Sequence, residues 1–130
     1  MVRFAIDEGV YEDLALINQS DPKAVGRVLS VLQQLETDDD LKDRLLQQGT
    51  WFGPFHILLI ESQRKRNFWR LKTIDSDDAF FGYRIIYAFR PVGAGNRIPW
   101  IRVMAVIPRS DAYNEQHRSF QRAIQRYDLL

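Results

Sequence analysis

Phe68-Trp69-Arg70-Leu71-Lys72-Thr73-Ile74 alternates apolar and cationic residues, and two later runs repeat the pattern at residues 82–87 (GYRIIY) and 100–106 (WIRVMAV). Side chains on a strand point to opposite faces with a period of two. The pattern therefore predicts three strands that share an apolar face made of Trp69, Leu71, Tyr83, Ile85, Tyr87, Ile101, Val103 and Ala105. The opposite face then carries four cations, which are Arg70, Lys72, Arg84 and Arg102. So many cations with few acids indicate a surface that binds a polyanion.

The composition is typical of one globular domain. The chain has 130 residues, of which 45% are hydrophobic, and no internal repeat or linker divides it, so we expect a single domain over residues 1–130. It has no cysteine, which excludes disulfides and thiolate metal sites. No apolar run is long enough to span a membrane and residues 1–4 do not read as a signal sequence, so we expect a cytoplasmic protein.

Charge is distributed unevenly along the chain. Residues 1–60 contain 5 Lys and Arg against 10 Asp and Glu, a net charge of −5, whereas residues 61–130 contain 13 against 7, a net charge of +6. Such asymmetry often accompanies nucleic-acid binding by the basic part. The acids of the first half are read as solvated helix faces.

Three helices are predicted in the first half of the chain. Asp7 or Glu8 opens the first, in which Val10, Leu14 and Ile17 lie along one side. Asp21 and Pro22 open the second, whose apolar stripe is Val25, Val28, Leu29, Leu32 and Leu35. A third runs from about 39 to 48 and stops at Gly49. The first two are expected to form a hairpin.

The remaining elements are mostly strands. Residues 2–6 and 55–60 are strand candidates, and residues 64–67 form an exposed turn. After Pro108, a last helix capped by Ser110 or Asp111 is predicted, with one side made of Tyr113, His117, Phe120, Ile124 and Tyr127. Trp51, Phe52 and Phe55 are assigned to the core.

This order of elements predicts an α+β fold. An N-terminal helical hairpin packs on a twisted antiparallel sheet of four to five strands, and a C-terminal helix follows. The last three strands are joined by short links, which favours antiparallel neighbours. The helices are expected to cover the apolar face and to leave the cationic face open.

Several segments resemble the RelE/ParE superfamily of bacterial toxins from toxin–antitoxin systems. The resemblance rests on Trp69-Arg70-Leu71-Lys72, on residues 82–87 (GYRIIY) and on residues 103–113 (VMAVIPRSDAY). It covers residues 68–127 and, loosely, the helical hairpin, and it favours the RelE- and HigB-like branch. Residues 37–67 lie outside it and read as an insertion. Arg70 stands where the family often has lysine.

The resemblance implies a toxin that cuts messenger RNA in the ribosomal decoding site through the 2′-hydroxyl and so inhibits translation. By position, the catalytic residues are Lys72, Arg84, Arg109 and Tyr113, and Arg70 binds RNA. The implied partners are a cognate antitoxin, the ribosome and messenger RNA, with no metal, no cofactor and no membrane. Two alternatives stay open, namely a ParE-like gyrase inhibitor that cleaves nothing and an inactive relative that only binds.

The residues themselves add to this list. Arg102 belongs to the cationic face and His117 stands one helical turn after Tyr113, so both are RNA-binding candidates. His117 is also a candidate general acid, because imidazole is the side chain best suited to proton transfer near neutral pH. Cleavage through the 2′-hydroxyl needs a base, an acid and cations around the phosphate oxygens. Arg84 and Arg109 suit the last role. Lys72 is a candidate base and Tyr113 a candidate acid, base or stacking platform, since nearby cations lower the pKa of either.

Each of these residues also has a structural interpretation. Arg70, Lys72, Arg84 and Arg102 can form the solvated side of an ordinary half-exposed sheet. Tyr113 and His117 can be half-buried helix residues, and His56 in its apolar run is read as structural. No histidine spacing typical of a metal site is present, and neither is a glycine loop typical of a nucleotide site.

Overall fold

The computed structural model describes residues 2–45, 50–52, 55–73, 82–91, 93 and 97–130. Within these residues the order of elements is β1 (Arg3–Ile6), α1 (Glu8–Ser20), α2 (Pro22–Thr37), α3 (Asp39–Arg44), β2 (Thr50–Phe52), β3 (Phe55–Leu59), β4 (Phe68–Thr73), β5 (Tyr83–Arg90), β6 (Trp100–Pro108) and α4 (Arg118–Asp128). Two 3₁₀ helices, Glu61–Arg66 and Arg109–Asp111, precede β4 and follow β6. The α+β class is confirmed. The predicted stop at Gly49 and the side chains of Trp51 and Phe52 lie outside the described residues.

In the described part of the chain one sheet has six strands in the order β1-β6-β5-β4-β3-β2. The strands from β2 to β6 are antiparallel neighbours, as predicted. The first strand differs, because β1 lies parallel to β6 with Arg3 opposite Trp100. The sheet is therefore mixed. Residues 37–67 supply β2 and β3, so this segment widens the sheet.

The helical hairpin packs on one face of the sheet. Asp7 is the N-cap of α1 and its carboxylate accepts a hydrogen bond from the Gly9 backbone N–H, 3.0 Å away. Buried residues of α1, α2 and α3 meet the sheet residues Trp69, Leu71, Ile85 and Tyr87 in one core. The Tyr87 hydroxyl donates to the Leu45 carbonyl behind α3. The α2 stripe is narrower than predicted, since Leu29 is 46% exposed.

The opposite face is not left open, contrary to expectation. On that face α4 places Phe120 and Ala123 against an apolar set of strand residues, namely Phe68, Ile86, Ala88, Met104, Ala105 and Ile107. A second core therefore lies beneath α4. The cations predicted for this face share it with that core.

A bulge in β6 explains why Ala105 is on the α4 face rather than on the hairpin face. Ile86 lies opposite Ala105 but the next residue, Tyr87, lies opposite Val103. The extra residue, Met104, shifts the alternation, because a bulge places two residues against one. Val106 then replaces Ala105 in the hairpin core.

The last helix begins later than predicted. It starts at Arg118 with His117 as its N-cap, so Tyr113 lies before it and is 59% exposed. Local hydrogen bonds of Asn114 account for the delay. Its backbone N–H donates to the Asp111 carbonyl, its carbonyl accepts from the His117 N–H, and its side chain accepts from the Gln116 N–H. Such local bonds compete with helix formation.

Candidate functional site

The α4 face of the sheet changes from apolar to cationic along β4 and β5. On β4 this face carries Phe68, then Arg70, then Lys72, and Arg70 lies opposite Ile86 of β5. Continuing the register sets Lys72 opposite Arg84 on the same face. The predicted alternation therefore places Arg70, Lys72 and Arg84 close together. They lie at one end of this face, next to the apolar residues that α4 covers.

Arg70 is the most unusual residue of this group. It is 2% exposed, and within the described residues its Nε and Nη1 atoms have no hydrogen-bond partner. Its guanidinium carbon lies 5.9 Å from the centroid of the Tyr113 ring. Buried polar groups of proteins are nearly always hydrogen-bonded, and a buried charge without a partner is costly. By itself, the position of Arg70 is therefore unfavourable for folding.

Arg70 interacts electrostatically with three more cations. Burial lowers the pKa of Lys72, and the positive charges of Arg70, Arg84 and Arg109 lower it further. Burial also lowers the pKa of Arg84, as do Arg70 and Arg109. These mutual effects place Arg70, Lys72, Arg84 and Arg109 in one group, hereafter the cationic cluster. The pKa of Lys72 is thus lowered in the expected direction, with burial as the largest cause and the neighbouring cations second.

Hydrogen bonds fix the two segments that carry Arg109 and Tyr113. The Arg109 N–H donates to the Gly82 carbonyl, 2.9 Å away, which continues the β5–β6 pairing next to Arg84. The segment that carries Tyr113 is fixed at Glu115, whose carboxylate accepts from the Gln63 Nε2 atom at 2.7 Å. Tyr113 offsets part of the lowering of the pKa of Arg84. Its exposed ring lies beside the buried guanidinium of Arg70.

His56 is a residue of this region that sequence reasoning assigned to structure. It lies on β3 directly opposite Lys72. Burial lowers the pKa of His56, and Arg70 and Lys72 lower it further. The sequence contained a signal, because His56 stands between the apolar residues Phe55 and Ile57, which are both buried in the structure. The continuous apolar run after His56 made this alternation hard to recognise.

Arg102 lies in a different group of charges. It donates to the Oδ1 atom of Asp7 from Nε at 3.2 Å and from Nη2 at 2.9 Å, and Arg126 donates to the Oδ2 atom at 2.6 Å. The Asp7 side chain is fully buried. Burial alone raises the pKa of Asp7, but the bonds from Arg126 and Arg102 outweigh it and hold that pKa below its ordinary value.

A second buried acid completes this group. Asp13 accepts from Arg122 at 2.6 Å and 2.8 Å, from the Ser119 hydroxyl, and from the backbone N–H of Val106 at 2.9 Å. Arg102, Arg122 and Arg126 together with Asp7 and Asp13 are hereafter the arginine clamp. The clamp joins α1, β6 and α4. Sequence reasoning missed it, although Arg122 and Arg126 are one turn apart on α4.

His117 has a structural role as the N-cap of α4. Its Nδ1 atom accepts from the Ser119 N–H at 3.2 Å, and its Nε2 atom lies 3.9 Å from the Asp111 carboxylate.

The structure brings together five of the seven site residues predicted from the sequence, namely Arg70, Lys72, Arg84, Arg109 and Tyr113. Arg102 belongs to the clamp and His117 to the start of α4.

Comparisons with known proteins do not assign a family. The chain matches no protein-family model, no curated protein and no solved structure. Across the described residues, no three His, Asp or Glu side chains are grouped so as to hold a metal ion. None of the helices in the described ranges is long and apolar enough to cross a membrane. The resemblance to RelE/ParE toxins stays a prediction that rests on residues 69–72, 82–87 and 103–113.

Proposed function

We propose that this protein is the toxin of a toxin–antitoxin pair and cuts messenger RNA on the ribosome without a metal, as RelE-like toxins do. One observation carries the proposal. Within the described residues, the buried guanidinium of Arg70 has no acceptor for two of its nitrogens, and it lies among further cations, of which Arg109 is exposed. This group of positive charges would attract the negative charge of an RNA phosphate.

The cationic cluster suits the charge that develops at phosphorus. When the 2′-oxygen attacks, negative charge grows on the non-bridging oxygens, and guanidinium groups bind such oxygens through paired N–H donors. Arg70, Arg84 and Arg109 are the groups for this role. The P–O5′ bond breaks, which leaves a 2′,3′-cyclic phosphate on one product and a 5′-hydroxyl on the other.

Two residues are proposed to move the protons. Lys72 takes the proton of the 2′-hydroxyl, and its lowered pKa supports this because a larger fraction of the amine is neutral near pH 7. Tyr113 is exposed beside Arg70, where its hydroxyl can protonate the departing 5′-oxygen and its ring can stack on a base. The proposed partners are the ribosome, messenger RNA and an antitoxin that covers these cations.

Expression of the chain in bacteria, followed by mapping of RNA 5′ ends, tests the proposal. The wild type should arrest growth and produce cuts within translated codons. Lys72→Met and Tyr113→Phe should each lower the cutting frequency by about 10²- to 10⁴-fold, because each removes a proton-transfer group. Arg118→Gln is the matched control, since Arg118 is an exposed cation of α4 outside the cluster and should leave cutting unchanged.

The remaining outcomes separate the alternatives. DNA damage linked to gyrase, with no RNA cuts, would replace the nuclease by the ParE-like activity. The absence of any growth defect would overturn both toxin activities. Cuts that persist in a Lys72, Arg84 and Arg109 triple variant would overturn the site while sparing the activity.

A further inference from the structure

A second group of cations surrounds a cavity at the other end of the same sheet face. The cavity has a volume of about 280 Å³ and is lined by Arg3, Ala5, Arg90, Trp100, Arg102 and Leu130. It lies where β1, β5 and β6 meet Leu130, two residues after the end of α4. It shares no residue with the cationic cluster.

The strand register places Trp100 between two arginines. Arg3 of β1 lies opposite Trp100 on one side, and Arg90 of β5 lies opposite it on the other. The Arg90 guanidinium carbon is 4.8 Å from the Trp100 ring centroid and 4.9 Å from that of Tyr127, so two rings hold it in place. The indole is partly exposed. Cavity and register together give an aromatic wall with a positive charge at each side.

These two charges differ from that of Arg102 in the same cavity. Arg102 is neutralised by the buried carboxylate of Asp7 at 2.9 Å. Among the residues that the structure describes, neither Arg3 nor Arg90 has a carboxylate partner, and the contacts of Arg90 are with aromatic rings and the Tyr127 hydroxyl at 3.4 Å. An occupant with negative charge would therefore meet two uncompensated guanidinium groups.

We infer that this cavity binds a nucleoside phosphate, with the base against Trp100, Ala5 and Leu130 and the phosphate between Arg3 and Arg90. A simple anion would leave the apolar wall in water, and an uncharged aromatic ring would leave the two guanidinium groups uncompensated. A nucleotide matches both features, since every base has a face that stacks on aromatic rings and every phosphate accepts from arginine. The volume of about 280 Å³ is slightly below the range of roughly 300–1,000 Å³ that is usual for small-ligand sites.

The occupant can be a free nucleotide or one nucleotide of an RNA strand. Both present the same base and phosphate, so the cavity does not distinguish them. The inference does not depend on the proposed RNA cleavage, because the cationic cluster takes no part in it. Either one can fail while the other holds.

Two-dimensional ¹H–¹⁵N NMR of the full chain tests the inference. The indole N–H signal of Trp100, assigned by its loss in Trp100→Phe, should shift saturably on addition of adenosine 5′-monophosphate. Inorganic phosphate alone and adenosine alone should each bind at least about tenfold more weakly, because each lacks one half of the recognised group. A hexamer of adenylate residues, titrated in parallel, shows by its relative affinity which source is preferred.

Two variants with matched charge loss decide the result. Arg3→Gln should weaken binding of adenosine monophosphate at least about tenfold, and Arg3 is exposed, so the variant should fold. Arg118→Gln removes the same charge from an exposed position outside the cavity and should leave that affinity unchanged. The inference is overturned if neither the monophosphate nor the hexamer shifts Trp100, if phosphate alone binds equally well, or if Arg118→Gln weakens binding as much as Arg3→Gln.

Discussion

Two groups of arginines lie on the α4 face of one sheet and differ mainly in their partners. The arginine clamp joins Arg102, Arg122 and Arg126 to the buried carboxylates of Asp7 and Asp13. The cationic cluster contains Arg70, which is as buried as those carboxylates yet has no acceptor for Nε and Nη1 in the described structure. Each group thus contains a fully buried charge. Asp7 and Asp13 are paired with arginines, whereas within the described residues Arg70 has no acceptor for two of its nitrogens.

This contrast separates the charges that stabilise the fold from the charges that we propose bind another molecule. A buried ion pair that satisfies its hydrogen bonds keeps two elements together, and removing one partner leaves an uncompensated charge. A buried cation surrounded by other cations opposes folding instead. Such a group persists when an anion uses it, and perturbed titratable groups accordingly concentrate at functional sites.

The largest effect is expected in the clamp. Asp13→Ala should lower the free energy of unfolding by about 3–5 kcal/mol, because it leaves the Arg122 charge, the Ser119 hydroxyl and the Val106 N–H without their acceptor. Urea denaturation measures this change. Glu12→Ala is the control, since Glu12 is 69% exposed and 3.8 Å from Arg122, and it should cost less than about 1 kcal/mol. If both variants lowered the free energy of unfolding equally, the clamp would not be a special source of stability.

The next effect has the opposite sign. Arg70→Met should raise the free energy of unfolding by about 1–3 kcal/mol, because it replaces a buried guanidinium, two of whose donors lack acceptors among the described residues, by an unbranched apolar side chain. The same variant should lose RNA cutting. Arg126→Met, which breaks a bond to the buried Asp7, should destabilise the protein in the same urea assay. A loss of stability in Arg70→Met as large as that in Arg126→Met would mean that Arg70 is a structural residue.

The smallest effect is a pH dependence of stability in the cluster. The folded-state pKa of Lys72 is lowered by burial and by the nearby arginines, so between that pKa and about 10.4 the unfolded chain binds more protons. Stability contributed by this residue should therefore rise with pH across that interval and level off above it. Thermal unfolding from pH 7 to 10.5 should show a smaller rise in Lys72→Met and in Lys72→Arg than in the wild type. If stability rose with pH by the same amount in all three proteins, the lowered pKa of Lys72 would be contradicted.

Most of the cationic cluster could be predicted from the sequence, because the alternation of apolar and cationic residues involves only neighbouring positions in the chain. Alternation along residues 68–74 and 82–87 placed Arg70, Lys72 and Arg84 on one face, and the register agrees. The hairpin was also readable, since Pro22 marks the start of α2 and the apolar spacing of α1 matches its buried residues Val10, Leu14 and Ile17. Period and capping are properties of neighbouring residues.

The clamp was not readable because its partners are far apart in the chain. Asp7 and Arg126 are separated by 119 positions, and Asp13 and Arg122 by 109. The late start of α4 was missed for a different reason, since His117 is not among the residues that usually cap helices. The bulge at Met104 depends on how β6 pairs with β5, which one strand alone does not reveal.

The acceptor role of Asp13 toward β6 has a consequence for self-association. The short strand β1 pairs with only the first four residues of β6, from Trp100 to Val103, so the rest of that strand is an edge. Edges with free N–H groups recruit strands of other molecules and promote aggregation. Here the Asp13 carboxylate occupies the Val106 N–H and is itself held by Arg122. An incoming strand would have to break that ion pair first, so the contact that fastens α4 also keeps one molecule from adding to the next.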